Sequence, residues 1–201
     1  MKTKVSIIFI FIFSLTFSQK TNPIIYGDLG IGYARDLTKN GGILQYGSLN
    51  YQNKKNLFTF RYSEINQLGV SFVNMGLLAL PILSNDIKME EIALLYGWRF
   101  IDDNFSYSFS AGLSSNNYIQ KLKTEDGNYY KDKSQYIGVP FEFGIKWFKS
   151  KKSPYRIYEL IPVGKPIGLG NSIGFKFLGN ISKHSYIGLG IDFGIGYHKE
   201  Y

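Results

Sequence analysis

There is no cysteine in this chain, and there are only two histidines, His184 and His198. The first absence excludes a disulfide scaffold, a thiolate zinc centre and lipidation at an N-terminal cysteine. The second leaves no material for a histidine-rich metal site. Charged residues make up 19%, below the roughly 25% of ordinary soluble domains, whereas aromatics reach 17% and the apolar set 44%. That balance excludes a disordered chain. Long hydrophobic runs are equally scarce. There is one, near the N-terminus, and it is too short for a spanning helix, which needs about 20 apolar residues. With 201 residues, the chain has room for one domain or two small ones.

The one apolar run reads as an export signal. Lys2 and Lys4 precede Val5–Phe17, which carries no charge, and Thr16 and Ser18 sit just before a cut ahead of Gln19. A basic start, an apolar stretch of about 7–15 residues and a small-residue site describe a secretory signal. Polar Gln19, Lys20, Thr21 and Asn22 end the run too early for a membrane anchor. The expectation is a signal peptide over 1–18 and one domain over 19–201. An exported chain without cysteine needs no oxidative folding.

The rest of the chain alternates with period two, the mark of strands with unlike faces. Ile187, Leu189, Ile191, Phe193, Ile195 and Tyr197 oppose Gly188, Gly190, Asp192, Gly194, Gly196 and His198. Phe105, Tyr107, Phe109, Ala111 and Leu113 oppose serines and Gly112; Ile137–Trp147 repeats the pattern. Weaker versions cover 24–34, 56–65, 87–100 and 172–181, and 42–52 alternates poorly. Eight strands are predicted, near 24–34, 42–52, 56–65, 87–100, 104–115, 134–147, 172–181 and 185–198. Soluble strands average about 5–6 residues, and membrane-spanning strands need about 9–11. Connections at 53–55, 101–103 and 182–184 are tight, and those at 66–86, 116–133 and 148–171 are long.

Two architectures fit: a soluble barrel with the apolar face inside, or a transmembrane barrel with it outside. Bulk separates them. An eight-stranded barrel has an interior just wide enough for side chains to fill, which suits the Gly and Ser face. Phe, Tyr and Trp suit lipid, with girdle aromatics such as Trp98 and Tyr197 near the headgroups. The fold class predicted is all-β, an antiparallel up-and-down transmembrane β-barrel of eight strands, with ten as the alternative. The small-residue face also carries charge. Asp28, Glu91, Glu142 and Asp192 stand against Arg61, Arg99, Lys146 and Lys176. Ionised groups in a confined space persist only when paired, so the balance predicts a closed, ion-paired lumen. A pore selective for ions of one sign would carry an excess of charge.

With its signal, alternating strands and C-terminal strand, the chain resembles the small outer-membrane β-barrels of Gram-negative bacteria, of the OmpA transmembrane-domain and OmpX type. Ile137–Trp147 and Tyr186–Tyr197 look especially like barrels of the Bacteroidota. The resemblance implies residence in the outer membrane, contact with its lipid, and recognition by the barrel-assembly machinery during biogenesis.

Chemistry is sparse. Some barrels of this kind hydrolyse lipid A or peptides, which needs a nucleophile within hydrogen-bond reach of a base. His184 lies in a hairpin, with Tyr186 where the serine of a His-x-Ser pair would stand. His198 points inward with no nucleophile assigned to it. The serines of 106–114 read as lumen wall. No catalytic residue, metal site or cofactor is predicted, and nucleic acid is not a partner, because no basic face or module accompanies the net charge of +8. The apolar segment 68–83 reads as a cap on the barrel mouth, a membrane-surface segment, or an extra hairpin; residues 117–133 read as a water-facing loop. Segments 66–86 and 116–133 are the candidate surfaces for an extracellular or envelope partner. The function predicted is a non-enzymatic outer-membrane barrel with a structural, adhesive or envelope-integrity role. The alternatives are a membrane-embedded lipid-modifying enzyme, or a narrow channel or transport accessory.

Overall fold

The protein is described by a computed structural model over residues 23–37, 41–75, 78–123, 129–157 and 161–200. The expected signal at 1–18 lies outside the described residues. Ten strands follow in sequence: β1 (Ile24–Asp36), β2 (Gly41–Asn53), β3 (Asn56–Met75), β4 (Leu78–Asp102), β5 (Phe105–Lys123), β6 (Tyr129–Phe148), β7 (Ser153–Ile157), β8 (Ile161–Ile167), β9 (Leu169–Ile181) and β10 (Tyr186–Tyr197). Eight of them form a closed antiparallel barrel in the order β1-β10-β9-β6-β5-β4-β3-β2, and β7 and β8 make a separate two-stranded sheet. Closure is made by β1 and β10, paired from Tyr26↔Gly196 to Asp36↔Tyr186. Closing the ring leaves no sheet edge inside the barrel, as a lipid environment demands.

Three long connections differ from expectation. Residues 68–83 add no strand to the barrel. They continue β3 and β4, which pair from Leu68↔Asn85 to Met75↔Leu78 beyond a bulge at Gln67/Leu68. The bulge re-registers the ladder, and Val70, Phe72, Val73 and Ile82 favour extended backbone. Residues 117–133 are mostly strand too: β5 and β6 pair through Leu122↔Tyr130 and Lys123↔Tyr129. Alternation is lost there because a ribbon standing clear of lipid needs no apolar face. The 148–171 connection contains the β7–β8 hairpin.

One end of the barrel carries both described termini, the β7–β8 hairpin and two tight turns. In those turns Lys54 (φ 56°) and Asp103 (φ 43°) adopt left-handed backbone. The opposite end carries the extended β3–β4 and β5–β6 ribbons beside a short β9–β10 hairpin, where Ser185 Oγ accepts from Ser182 N at 2.9 Å and donates to Ser182 O at 2.8 Å. Among the described residues Gly196 (φ 150°) is the one glycine with positive φ; a Cβ there would also meet Tyr26 Cα at 2.5 Å.

The faces divide as the alternation requires. Leu29, Leu94, Leu113 and Ile137 point outward at 67–78% exposure, whereas Arg61, Leu44 and Leu178 on the inner face are wholly buried. Over Ile187–Ile195 the outward apolar band is roughly 20–25 Å tall, at about 3.3 Å per residue and a tilt near 40°. Near the termini end a belt of outward aromatics runs across five strands. Phe58–Tyr96, Trp98–Phe109, Phe105–Trp147 and Trp147–Phe175 have ring centroids 5.2, 5.1, 5.6 and 6.1 Å apart. Toward the other end, outward Lys88 bridges Glu64 and Glu90 at 3.0 and 2.8 Å. The belt and this charged cluster bracket the apolar band.

Candidate functional site

The barrel interior is where buried ionisable groups converge among the described residues, and it is layered. The central layer is a chain of seven charged side chains. Glu91 Oε1 accepts from Arg61 Nη2 at 2.7 Å and Nε at 3.2 Å. Arg61 Nη1 donates to Glu142 Oε2 at 2.9 Å. Lys176 Nζ lies 3.9 Å from Glu142 Oε2 and 3.8 Å from Asp28 Oδ2. Asp28 also accepts from Lys146, whose Nζ is 2.9 Å from Asp192 Oδ2. That last contact is one of charge alone, since neither Asp192 oxygen has a hydrogen-bond partner. Four acids thus alternate with three bases, contributed by β1, β3, β4, β6, β9 and β10.

Arg99 stands apart from this chain, although the residue balance placed it among the pairs. It is 2% exposed and has no carboxylate partner among the described residues. Its Nε donates to Ser106 Oγ at 3.1 Å and its Nη1 to Gln52 Oε1 at 2.8 Å. The guanidinium lies 4.7 Å from the Tyr26 ring centroid and 5.4 Å from that of Phe148. This layer faces the termini end, and His198 belongs to it. The imidazole lies between Tyr26 and Phe148, at centroid distances of 5.3 and 5.5 Å, with Nε2 3.1 Å from Gly170 O. Nδ1 has no partner, so the neutral Nε2–H tautomer fits the site.

The third layer closes the opposite end with apolar bulk. Ala34, Leu44, Tyr46, Ile65, Met89, Leu178 and Tyr186 form a buried cluster, with Ile87 and Tyr118 half-buried against it. Gly30 and Gly190 make the slot for Tyr46; a Cβ on either would come within 2.1 and 2.8 Å of its ring. The enclosed spaces left in the lumen are about 10 Å³ each, room for no more than about one water.

Polar neighbours that sequence reasoning passed over complete the network. Asn50 Nδ2 donates to Asp28 Oδ2 at 3.0 Å, and Thr59 Oγ1 donates to Asn50 Oδ1 at 2.8 Å. Tyr186 OH donates to Glu91 Oε2 at 3.0 Å, Ser63 Oγ to Glu91 Oε1 at 3.3 Å, and Asn180 to Glu91 as well. Thr59, Ser63, Asn180 and Tyr186 share the inward parity of the charge on their own strands, which is the signal that finds them; Asn50 lies on β2, which carries no charge to set the parity.

His184 lies outside the lumen, on the rim opposite the termini. It stacks on Tyr118 at 3.9 Å and 7°, with Tyr136 at 5.3 Å. Partial burial and the charge of Lys183 lower its pKa, against a smaller raising effect of Asp36. Neither histidine is hydrogen-bonded to a serine among the described residues. Chemically, the interior is packed with ion pairs and hydrogen bonds.

No family model matches the chain, and no curated protein matches it. Solved structures do. Neisserial surface protein A aligns with a TM-score of 0.52 at 14% identity, over 85% of this chain and 94% of that one. The N-terminal β-barrel domain of Pseudomonas aeruginosa OprF aligns at 0.47 and 11% identity, over 86% and 97%. Ail, the attachment invasion locus protein of Yersinia pestis, aligns at 0.42 and 10%, over 86% and 98%. With its closed ring, outward apolar band and filled interior, the chain has the fold of the small eight-stranded outer-membrane β-barrels.

Proposed function

We propose that this protein resides in the outer membrane of a Gram-negative bacterium as a non-enzymatic barrel with a closed lumen, and serves envelope integrity or adhesion. The observation that carries the reading is the interior. Four acids and three bases are ion-paired across the barrel, and an apolar cluster seals one side of them. A substrate-processing site needs an accessible cleft with a base beside a nucleophile, and a conducting path needs continuous water. The arrangement supports neither. What projects from the end opposite the termini is paired strand, with β3–β4 running eight residue pairs past the bulge. A rigid ribbon of this kind suits contact with a partner, or with neighbouring envelope components, better than a floppy loop does.

The experiment is fractionation of native membranes combined with a turnover assay on phospholipid and lipid A. The protein is expected in the outer-membrane fraction, folded, with no hydrolysis above the vesicle background. Release of fatty acid that tracks the folded protein would overturn the reading.

A further inference from the structure

We propose that the barrel mouth at the termini end binds a phosphate group, held at the rim by Lys54 and Lys55 with the buried Arg99 cation beneath it. A 380 Å³ cleft opens there between the β2–β3 turn, the β4–β5 turn and the chain's last residues. Gln52, Lys54, Lys55, Arg99, Asp103 and Lys199 line it. Arg99 Nη2 is buried and has no hydrogen-bond partner, while the other two guanidinium nitrogens are engaged by Gln52 and Ser106. A buried cation without a carboxylate is costly unless an anion completes it. The acids of the central layer are committed to Arg61, Lys146 and Lys176.

The rim supplies further positive charge. Lys54 and Lys55 are exposed in their turn, and Lys199 is held across the mouth by Asp103, Nζ to Oδ1 at 3.1 Å. Four basic residues face two acids in the cleft, Asp103 and Glu200. Arginine and lysine together match the several acceptor oxygens of a phosphate, and charge-assisted bonds to it are strong. The cleft also reaches the lipid boundary. Lys55 Nζ sits 5.4 Å from the ring centroid of Phe100, which stacks on Tyr107 of the aromatic belt. The phosphate could therefore belong to a phospholipid headgroup or to a soluble phosphate. In an outer-membrane barrel with an even strand count the termini end faces the periplasm, so the side of the membrane rests on the outer-membrane reading above; the binding itself does not.

The test uses the full barrel refolded in a phosphate-free, non-ionic detergent, with folding checked by heat-modifiable gel migration. Inorganic phosphate is titrated by calorimetry, and phosphatidylglycerol and diacylglycerol are compared by native mass spectrometry. Binding of phosphatidylglycerol but not of inorganic phosphate or diacylglycerol assigns the site to a lipid headgroup; binding of inorganic phosphate assigns it to the phosphate itself. In either case Arg99→Gln, which removes the buried charge beneath the cleft, should weaken binding several-fold. Lys54→Gln with Lys55→Gln, both at exposed positions, should weaken it several-fold and leave folding intact, so the proposal stays testable should Arg99→Gln fail to fold. Absence of binding by both probes, or affinity unchanged in the folded lysine double variant, would overturn the proposal. Failure of the outer-membrane reading would appear separately, in the fractionation.

Discussion

Replacing Arg61 with methionine removes the one side chain that joins Glu91 to Glu142. Arg61 is wholly buried and makes three charge-assisted bonds, at 2.7 and 3.2 Å to Glu91 and 2.9 Å to Glu142. Methionine fills most of the volume but leaves two buried carboxylates short of a cation. Breaking a buried pair from one side costs about 3–5 kcal/mol. Glu91 keeps donors from Ser63, Tyr186 and Asn180, and Glu142 keeps Lys176 at 3.9 Å, so the lower half of that range is expected. Adding Glu91→Gln and Glu142→Gln to Arg61→Met should recover much of the loss, since neutral amides no longer need the cation. The assay is equilibrium unfolding by urea in lipid vesicles, read through Trp98 and Trp147 in the outward belt, the chain's only tryptophans. A loss under about 1 kcal/mol for Arg61→Met, the size of an exposed pair, would refute a dry, ion-paired lumen.

Other expectations follow from the same geometry. Phe109 and Phe193 point outward, so Phe193→Arg in the apolar band should cost about 2–4 kcal/mol and Phe109→Arg in the belt should cost less, while inward Ser108→Ala should be nearly silent in the same vesicle assay; a Ser108→Ala loss as large as that of Phe193→Arg would invert the faces. His184 favours its neutral form in the folded rim, so its contribution is fully present above the unfolded pKa of about 6.5 and is lost as pH falls through that value toward the lower folded pKa. Hydrogen-exchange protection of 182–186 should therefore drop between about pH 8 and pH 5, and the drop should vanish in His184→Gln; persistence there would sink the assignment. Lys54→Gly should stabilise the barrel by roughly 1 kcal/mol in urea, because it relieves left-handed backbone, and a destabilised variant would show that the turn is unstrained.

The architecture was legible because a filled barrel writes period two into every strand. Gly, Ser and charge share one parity in β5, β6 and β10, and Phe, Ile and Trp share the other. Where that code is diluted, the reading weakened. In β2, Leu44 and Tyr46 point inward and Gln45 outward, the reverse of the polarity expected of a lumen, because the interior there is an apolar seal. Beyond the lipid, 117–123 and 129–133 carry charges on both faces, so strands there looked like loop. The charged residues themselves could be named from parity. Their partners could not. Arg61 and Glu142 are 81 positions apart, and Lys146 and Asp28 are 118 apart; such pairs are set by strand order and stagger around the ring. For the same reason the separation of Arg99 from the acids was invisible in a count that balanced four against four.

The central claim is that the lumen is closed, and planar-bilayer recording of the refolded barrel tests it most directly. The account predicts a silent bilayer in which folded protein is present. Stepwise conductance from the wild-type protein, scaling with the amount of folded barrel inserted, would contradict it.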